Sequence, residues 1–322
     1  MENFFKKLFG KDSQNSKDHS ESAVKASTDQ DTIPSTTPHA SLETKPLSDS
    51  DLELPPLQVQ NIRNEVPQFE AACGQSVGMQ RDHNEDGMFT LSSILICDST
   101  QIPFGLYLVA DGMGGHEYGE VASGIAIRAF VSHVLKKLYS PLFSLNGNPP
   151  DESLQEIMER GVYEAHKAII KEVAGGGTTL TAVLLMGGQL TISHVGDSRA
   201  YLMHPDGRMQ ILTRDHSLVK RLEELGQITT AEAAIHPQRN VLYRALGQAE
   251  PFAPDIQTIP IPNATHLLLC SDGLWGVVDD REIFNTLTTT PNLQEACQKL
   301  INSANQAGGP DNISVIIVQL PG

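Results

Sequence analysis

Four aspartates stand where apolar, strand-like runs of the chain end. Leu106–Ala110 runs into Asp111-Gly112, Leu267–Ser271 into Asp272-Gly273, and Ile192–Gly196 into Asp197, while Asp311-Asn312 comes just before the run Ile313–Val318. Singly, each Asp-Gly or Gly-Asp is an ordinary turn signal. Jointly they are carboxylates gathered at one edge of a strand layer, and such a group repels itself unless cations neutralise it. Donors that are all oxygen favour hard divalent ions, Mg²⁺ or Mn²⁺. Two such ions about 3.5–4 Å apart clamp a water and lower its pKa, an arrangement suited to in-line attack on phosphorus. A handle for the phosphate is Arg81, in the stretch Gly78-Met79-Gln80-Arg81-Asp82-His83-Asn84-Glu85-Asp86. Its guanidinium fork matches phosphate oxygens; the alternative is a surface arginine paired with the neighbouring acids.

Other chemistries find little support. Asp111–His116 and Gly175–Thr179 are glycine-rich, but neither has the GxGxxG spacing or the Gly-Lys-Ser/Thr ending of a nucleotide loop. Close backbone packing around a crowded site is the better reading of both. The four cysteines, Cys73, Cys97, Cys270 and Cys297, form no CxxC pair and sit in no basic glycine-rich loop, so neither zinc, disulfides nor a thiol nucleophile is indicated. A reducing, cytoplasmic setting fits. The 322 residues carry a formal net charge of -16, which argues against nucleic-acid binding, since phosphate backbones require clustered Lys and Arg.

The elements that must position these residues follow from periodicity. Helical spacing covers Glu117–Leu138, Ser153–Val173, with Asp151 as its cap, and Leu293–Asn305. Strand-like runs cover Leu106–Ala110, Leu180–Met186, Leu190–Val195, Ala200–Met203, Leu267–Cys270 and Ile313–Leu320. The links Gly187-Gly188 and Gly196-Asp197-Ser198 are too short for parallel crossovers, so antiparallel hairpins are expected at both, within a layered α+β fold. Residues 1–68 are polar and rich in Ser, Thr and Pro, and are expected to be a disordered tail ahead of one domain over 69–322. Phe4, Phe5, Leu8 and Phe9 could make one amphipathic turn, but a segment this short is read as a frayed terminus rather than a membrane contact. No apolar run reaches the roughly 18 residues of a membrane span.

The blocks Arg81-x-x-Asn84-Glu85-Asp86, Val109–His116, Gly177-Thr178-Thr179, His194–Tyr201, Leu212-Thr213-x-Asp215-His216-Ser217, Ser271–Trp275 and Gly309-x-Asp311-Asn312-Ile313-Ser314 resemble, in order, those of the bacterial type-2C, metal-dependent Ser/Thr protein phosphatases. The resemblance covers Ala71 to Leu320. It implies a four-layer α-β-β-α sandwich with two central antiparallel sheets flanked by helix pairs. It implies two ions and possibly a third: Asp111 bridging two, the Gly112 carbonyl completing one, Asp272 and Asp311 holding the other, Glu85 and Asp86 acting through water, and Asp197 with Asp272 serving the third. Arg81 would grip the phosphate and a bridging hydroxide would attack it directly, without a phospho-enzyme. The substrates would be phosphoserine and phosphothreonine proteins, a Ser/Thr kinase the functional counterpart, and the protein a monomer. Met113 occupies the position where animal members carry a general-acid His; a metal-bound water is the first candidate for that role and His116 a poorer one. The resemblance also implies a mobile flap over about 213–250. Within it Arg221, Arg239 and Arg244 are candidates to meet an acidic phosphopeptide, with ordinary surface or hinge charge preferred slightly. Three other readings are weaker. A phosphoprotein-binding pseudophosphatase would have lost ligands that this chain keeps. A phosphatase of small anti-sigma antagonists would usually carry sensor domains. A small-molecule phosphatase stays open.

Overall fold

The computed structural model describes residues 68–97, 100–114, 117–143, 151–248 and 252–321. The tail expected over 1–68, apart from its last residue, the Phe4–Phe9 turn and His116 lie outside the described residues.

Two five-stranded antiparallel sheets make up the centre. One has the order β1 (Glu70–Ser76), β12 (Ile313–Gln319), β11 (His266–Cys270), β8 (Arg199–Met203), β9 (Met209–Ile211). The other has the order β10 (Asp255–Pro260), β7 (Gln189–Val195), β6 (Leu180–Met186), β3 (Thr100–Ala110), β2 (Gly87–Cys97). Their central strands are apolar on both faces because both faces are covered, and period-two alternation divides the side chains between layers. Leu106, Leu108 and Ala110 of β3 pack against the helices α1 (Glu117–Val134) and α2 (Leu154–Glu172). Tyr107 and Val109 point the other way, into the layer between the sheets, where they join Leu202, Leu269, Ile316 and Val318. On the far side Ile313, Val315 and Ile317 pack under α6 (Asp280–Thr289) and α7 (Leu293–Gln306). This is the four-layer α-β-β-α sandwich expected.

Helix boundaries agree closely with the periodicity. A π-turn over Leu135–Tyr139 extends α1. Asp151, expected to cap α2, does not do so. Ser153 is the N-cap, in a reciprocal box with Glu156: the hydroxyl accepts from the Glu156 N–H at 3.3 Å and the carboxylate accepts from the Ser153 N–H at 2.7 Å.

The larger correction concerns Gly196-Asp197-Ser198. Gly187-Gly188 does close a hairpin, with φ of 60° and 76°, joining β6 to β7 in one sheet. The second link instead carries the chain out of one sheet and into the other, since β7 pairs with β6 and β10 whereas β8 pairs with β11 and β9. Gly196 turns this corner at φ +105°, and a Cβ there would lie 2.5 Å from Thr179. A short link forbids a parallel crossover within a sheet, but it permits a step between stacked sheets. That step puts Asp197 at the end of the sandwich, between the layers.

Candidate active site

β3, β7 and β11 all finish, and β12 starts, at the same end of the sandwich. Asp111 follows β3 directly, Asp197 sits in the corner after β7, Asp272 opens the short helix α5 (Asp272–Trp275) after β11, and Asp311 precedes β12. The β1–β2 loop brings Arg81, Glu85 and Asp86 to the same place. All the expected site residues therefore belong to one cluster.

Their backbones are held by groups far away in sequence. The Asp111 N–H donates to Thr179 Oγ1 at 2.9 Å, and the Asp111 carbonyl accepts from the Thr179 N–H and Thr178 Oγ1, both at 2.8 Å. Gly112-Met113 forms a short strand, β4, paired with β5 (Gly177–Thr178), which explains the Gly-Thr-Thr block. A Cβ on Gly112 would fall 2.3 Å from the Gly119 carbonyl and 2.5 Å from that of Glu85. Close packing is thus a requirement at this glycine. Asn312 pins the β1–β2 loop: Oδ1 accepts from the Glu85 N–H at 2.7 Å, and Nδ2 donates to the carbonyls of Val77 and His83 at 2.8 and 2.9 Å. Ser271 and Ser314 donate their hydroxyls to Asp86 Oδ2 at 2.8 and 2.7 Å. Nothing local in the sequence marks Asn312 or the two serines as partners of residues 185 to 235 positions away.

Electrostatically the cluster is under stress. Burial lifts the Asp111 carboxyl well above the usual range, and the charges of Asp86, Asp272, Asp197 and Asp311 lift it further. Burial pushes Asp86 up to about 7 against the two serine hydrogen bonds, with Asp272 and Asp311 adding to the rise. Asp272 is pushed up to about 6 by burial and by Asp311. Asp197 is raised in the same way by burial and by Asp272. Asp272 lies beside Asp111, and two buried carboxyls so placed need a proton or a cation between them.

Among the described residues no three Asp, Glu, His or Cys side chains are grouped as a ready-made ion cage. The carboxyls are gathered but turned onto protein partners: Asp311 Oδ2 takes a 2.7 Å hydrogen bond from Arg81 Nη2, Asp86 faces the serines, and Asp272 faces Asp111. The buried oxygens Asp86 Oδ1 and Asp272 Oδ1 have no hydrogen-bond partner at all. Buried anionic oxygens without donors, in a ring of mutually repelling carboxyls, fit hard divalent cations. The residues present therefore suit the ions that their spacing suggested.

Above the cluster lies a cleft of about 520 Å³, with Arg81, Asp197, Asp272 and Asp311 on one wall and Lys220 and Arg239 of the 213–250 segment on the other. That segment is tied at its root: the His216 N–H donates to the Gly196 carbonyl at 2.7 Å, and Ser217 and Leu242 form a bridge. Of the three arginines expected to meet a phosphopeptide, Arg239 lines the cleft. Arg221 pairs with Glu224 at 4.0 Å and Arg244 with Asp255 at 2.8 Å, which makes these two surface and hinge charges.

Such a cleft, two stacked sheets with carboxylates at one end and an arginine at the lip, defines a metal-assisted phosphate-ester hydrolase. Comparison with known proteins narrows this. Residues 72–313 match the family model described as Protein phosphatase 2C. Over 250 residues the chain is 36% identical to the serine/threonine phosphatase stp of Listeria innocua, covering 75% of this chain and 92% of that one. The fold matches the Mycobacterium tuberculosis phosphatase PstP/Ppp with a TM-score of 0.63 at 32% identity, over 79% of this chain and 100% of that one. A structure of the PstP catalytic domain in complex with two manganese ions matches equally, with a TM-score of 0.63 at 32% identity over 79% and 99% of the two chains. The chain belongs to the protein phosphatase 2C family, in its bacterial branch, and is a metal-dependent protein phosphatase.

Proposed function

We propose that the chain hydrolyses phosphoserine and phosphothreonine in proteins, with Asp111, the Gly112 carbonyl, Asp272 and Asp311 holding two Mg²⁺ or Mn²⁺ ions. Asp197 would hold a third ion with Asp272, and Glu85 and Asp86 would act through water. The observation that carries the reading is the ring of raised carboxyls with two donorless buried oxygens beneath a cleft whose lip carries Arg81. When bound, the ions neutralise that ring, polarise the phosphoryl oxygens and supply a water of lowered pKa.

The chain's own residues do the rest. Arg81, half exposed and now on Asp311, exchanges that partner for two phosphate oxygens and fixes the phosphorus in line. Among the described residues no hydroxyl or thiol beside the carboxyl cluster is free to attack: Ser271 and Ser314 are fully buried with their hydroxyls committed to Asp86, Cys270 is buried with its thiol pushed up by burial, and Thr230, across the cleft, donates its hydroxyl to Glu223. Direct attack by water, without a phospho-enzyme, follows. Met113 beside Gly112 has no proton to give, so the proton of the leaving oxygen comes from water in the cleft. A Ser/Thr kinase is the functional counterpart. The free thiols Cys73, Cys270 and Cys297 among the described residues support a cytoplasmic location, and no helix among those residues is long and apolar enough to cross a membrane.

The test is hydrolysis of p-nitrophenyl phosphate and a phosphothreonine peptide with Mn²⁺, Mg²⁺ or EDTA, beside an Asp272→Ala variant. Metal-dependent turnover that collapses in the variant is expected. No turnover of either substrate despite tight Mn²⁺ binding would overturn the enzymatic reading.

A further inference from the structure

Arg199 opens β8, two residues past Asp197, and none of the roles above uses it. Its guanidinium carbon sits 3.5 Å from the centroid of the Trp275 ring. The same guanidinium closes as a fork on Asp215, with Nε donating to Oδ1 at 3.0 Å and Nη2 to Oδ2 at 2.7 Å. Trp275 in turn donates its indole N–H to the main-chain carbonyl of Asp197 at 3.0 Å. The ion pair is shielded, with side chains only 19% and 8% exposed. Asp215 lies where the chain leaves the core for the flap, and the adjacent His216 holds Gly196 twice. Its N–H donates to the Gly196 carbonyl at 2.7 Å, and its Nδ1 accepts from the Gly196 N–H at 3.1 Å. Trp275 ends the helix that Asp272 begins. One cation thus touches the flap root and the Asp272 helix, and through an indole it reaches the backbone of Asp197.

We propose that Arg199 is a positioning residue that locks the root of the flap and the Asp197 corner into one register. Docking of the flap root and binding of an ion at Asp197 then favour each other. The proposal rests on the reading of Asp197 as a ligand. The coupling is reciprocal, so whatever factor a docked root contributes to ion affinity, the ion returns to root docking. Lysine cannot replace Arg199, because a point charge cannot stack on an indole and fork onto a carboxylate at once.

The experiment uses the full chain. Trp275 is the single tryptophan, so its fluorescence reports the corner directly, while Lys220, Arg221 and Arg239 offer tryptic sites within the flap. Mn²⁺ is titrated by calorimetry and by fluorescence, and flap cleavage is timed with and without Mn²⁺. In wild type, Mn²⁺ slows the cleavage. Arg199→Met is expected to weaken the loosest Mn²⁺ site about tenfold and to abolish the protection, and Arg199→Lys to restore thermal stability without restoring either readout. Trp275→Phe keeps a ring but loses the N–H, and should weaken the same site by calorimetry. If Arg199→Met does not fold, Arg199→Lys and Trp275→Phe carry the test. A merely structural Arg199 would lower the melting temperature and leave isotherm and protection as in wild type, and that result overturns the proposal. Asp197→Asn separates the two readings. If it loses the site while the Arg199 and Trp275 variants keep it, positioning alone fails. If it changes nothing, the ligand assignment fails and the proposal falls with it.

Discussion

With its ions removed, the folded protein should be less stable at pH 8 than at pH 5. Asp86 and Asp272 carry folded-state values of about 7 and about 6 against an ordinary 3.8. A carboxyl raised by folding binds more protons folded than unfolded, so its contribution falls as pH climbs from the unfolded value through the folded one. The window therefore runs from about 4 to about 7. Between pH 5 and 8 Asp86 crosses about two units of it and Asp272 about one, at ~1.4 kcal/mol per unit. Because these carboxyls titrate as a coupled set, the loss is about 3 kcal/mol rather than the plain sum. For a domain of this size ~1 kcal/mol moves Tm by about 2–4 °C, so the fall should be about 6–12 °C. The assay is calorimetric melting in EDTA at pH 5, 6, 7 and 8, repeated with saturating Mn²⁺. Since ion binding needs deprotonated ligands, added Mn²⁺ should reverse the trend. General self-repulsion at a net charge of -16 acts in the same direction, so Asp86→Asn and Asp272→Asn serve as controls, each shrinking the fall by removing one titrating group. A metal-free Tm that is level or rises from pH 5 to 8, or a fall unchanged in both variants, would refute the reasoning.

Arg81→Ala should lower kcat/KM about 100-fold, close to 2.7 kcal/mol of phosphate binding, while the Mn²⁺ isotherm stays as in wild type; Arg81→Lys should recover little of it. Asn312→Ala breaks the three hydrogen bonds that pin the β1–β2 loop and should cost about 2–4 kcal/mol in urea unfolding, with Mn²⁺ affinity falling alongside. Gly112→Ala forces a methyl to within 2.3 Å of the Gly119 carbonyl, so Mn²⁺-dependent turnover should vanish even in protein that melts cooperatively.

Strand ends, and with them the aspartates, are visible in the sequence because a strand covered on both faces is a continuous apolar run and stops abruptly. The helices over 117–138 and 153–173 are equally visible, since one apolar stripe at helical spacing suffices to dock each on a sheet. Three features are not legible. Local spacing says that Gly196-Asp197-Ser198 is a sharp turn, but not whether the next strand pairs beside β7 or steps to the facing sheet. That depends on β10, an edge strand written Asp255-Ile256-Gln257-Thr258-Ile259-Pro260, whose lone proline and thin apolar content conceal it. The capping serine of α2 lies two positions from an equally suitable aspartate, and only the Glu156 partner decides between them. Asn312, Ser271 and Ser314 are ordinary polar residues until the fold brings the β1–β2 loop against them.

The cluster and its scaffold pull in opposite directions. Asp86, Asp111, Asp197 and Asp272 beneath the cleft have pKa shifts that weaken the folded state at neutral pH, so residues that would hold the ions work against the chain's own folding. What keeps them together is the backbone. Asp111 hangs on Thr178 and Thr179, the Glu85 loop on Asn312, and Asp86 on two serines, partners that sit on or beside packed strands, while Asp197 hangs on Trp275, at the end of the short helix that follows β11. Rigid strands can impose such crowding because displacing one carboxyl means displacing a strand end, and with it the packing behind. A loop-borne set of acids would drift apart until its charges were solvated. The antiparallel sandwich is therefore part of the proposed chemistry: it holds the repelling carboxyls at fixed positions, where divalent ions would relieve the repulsion most.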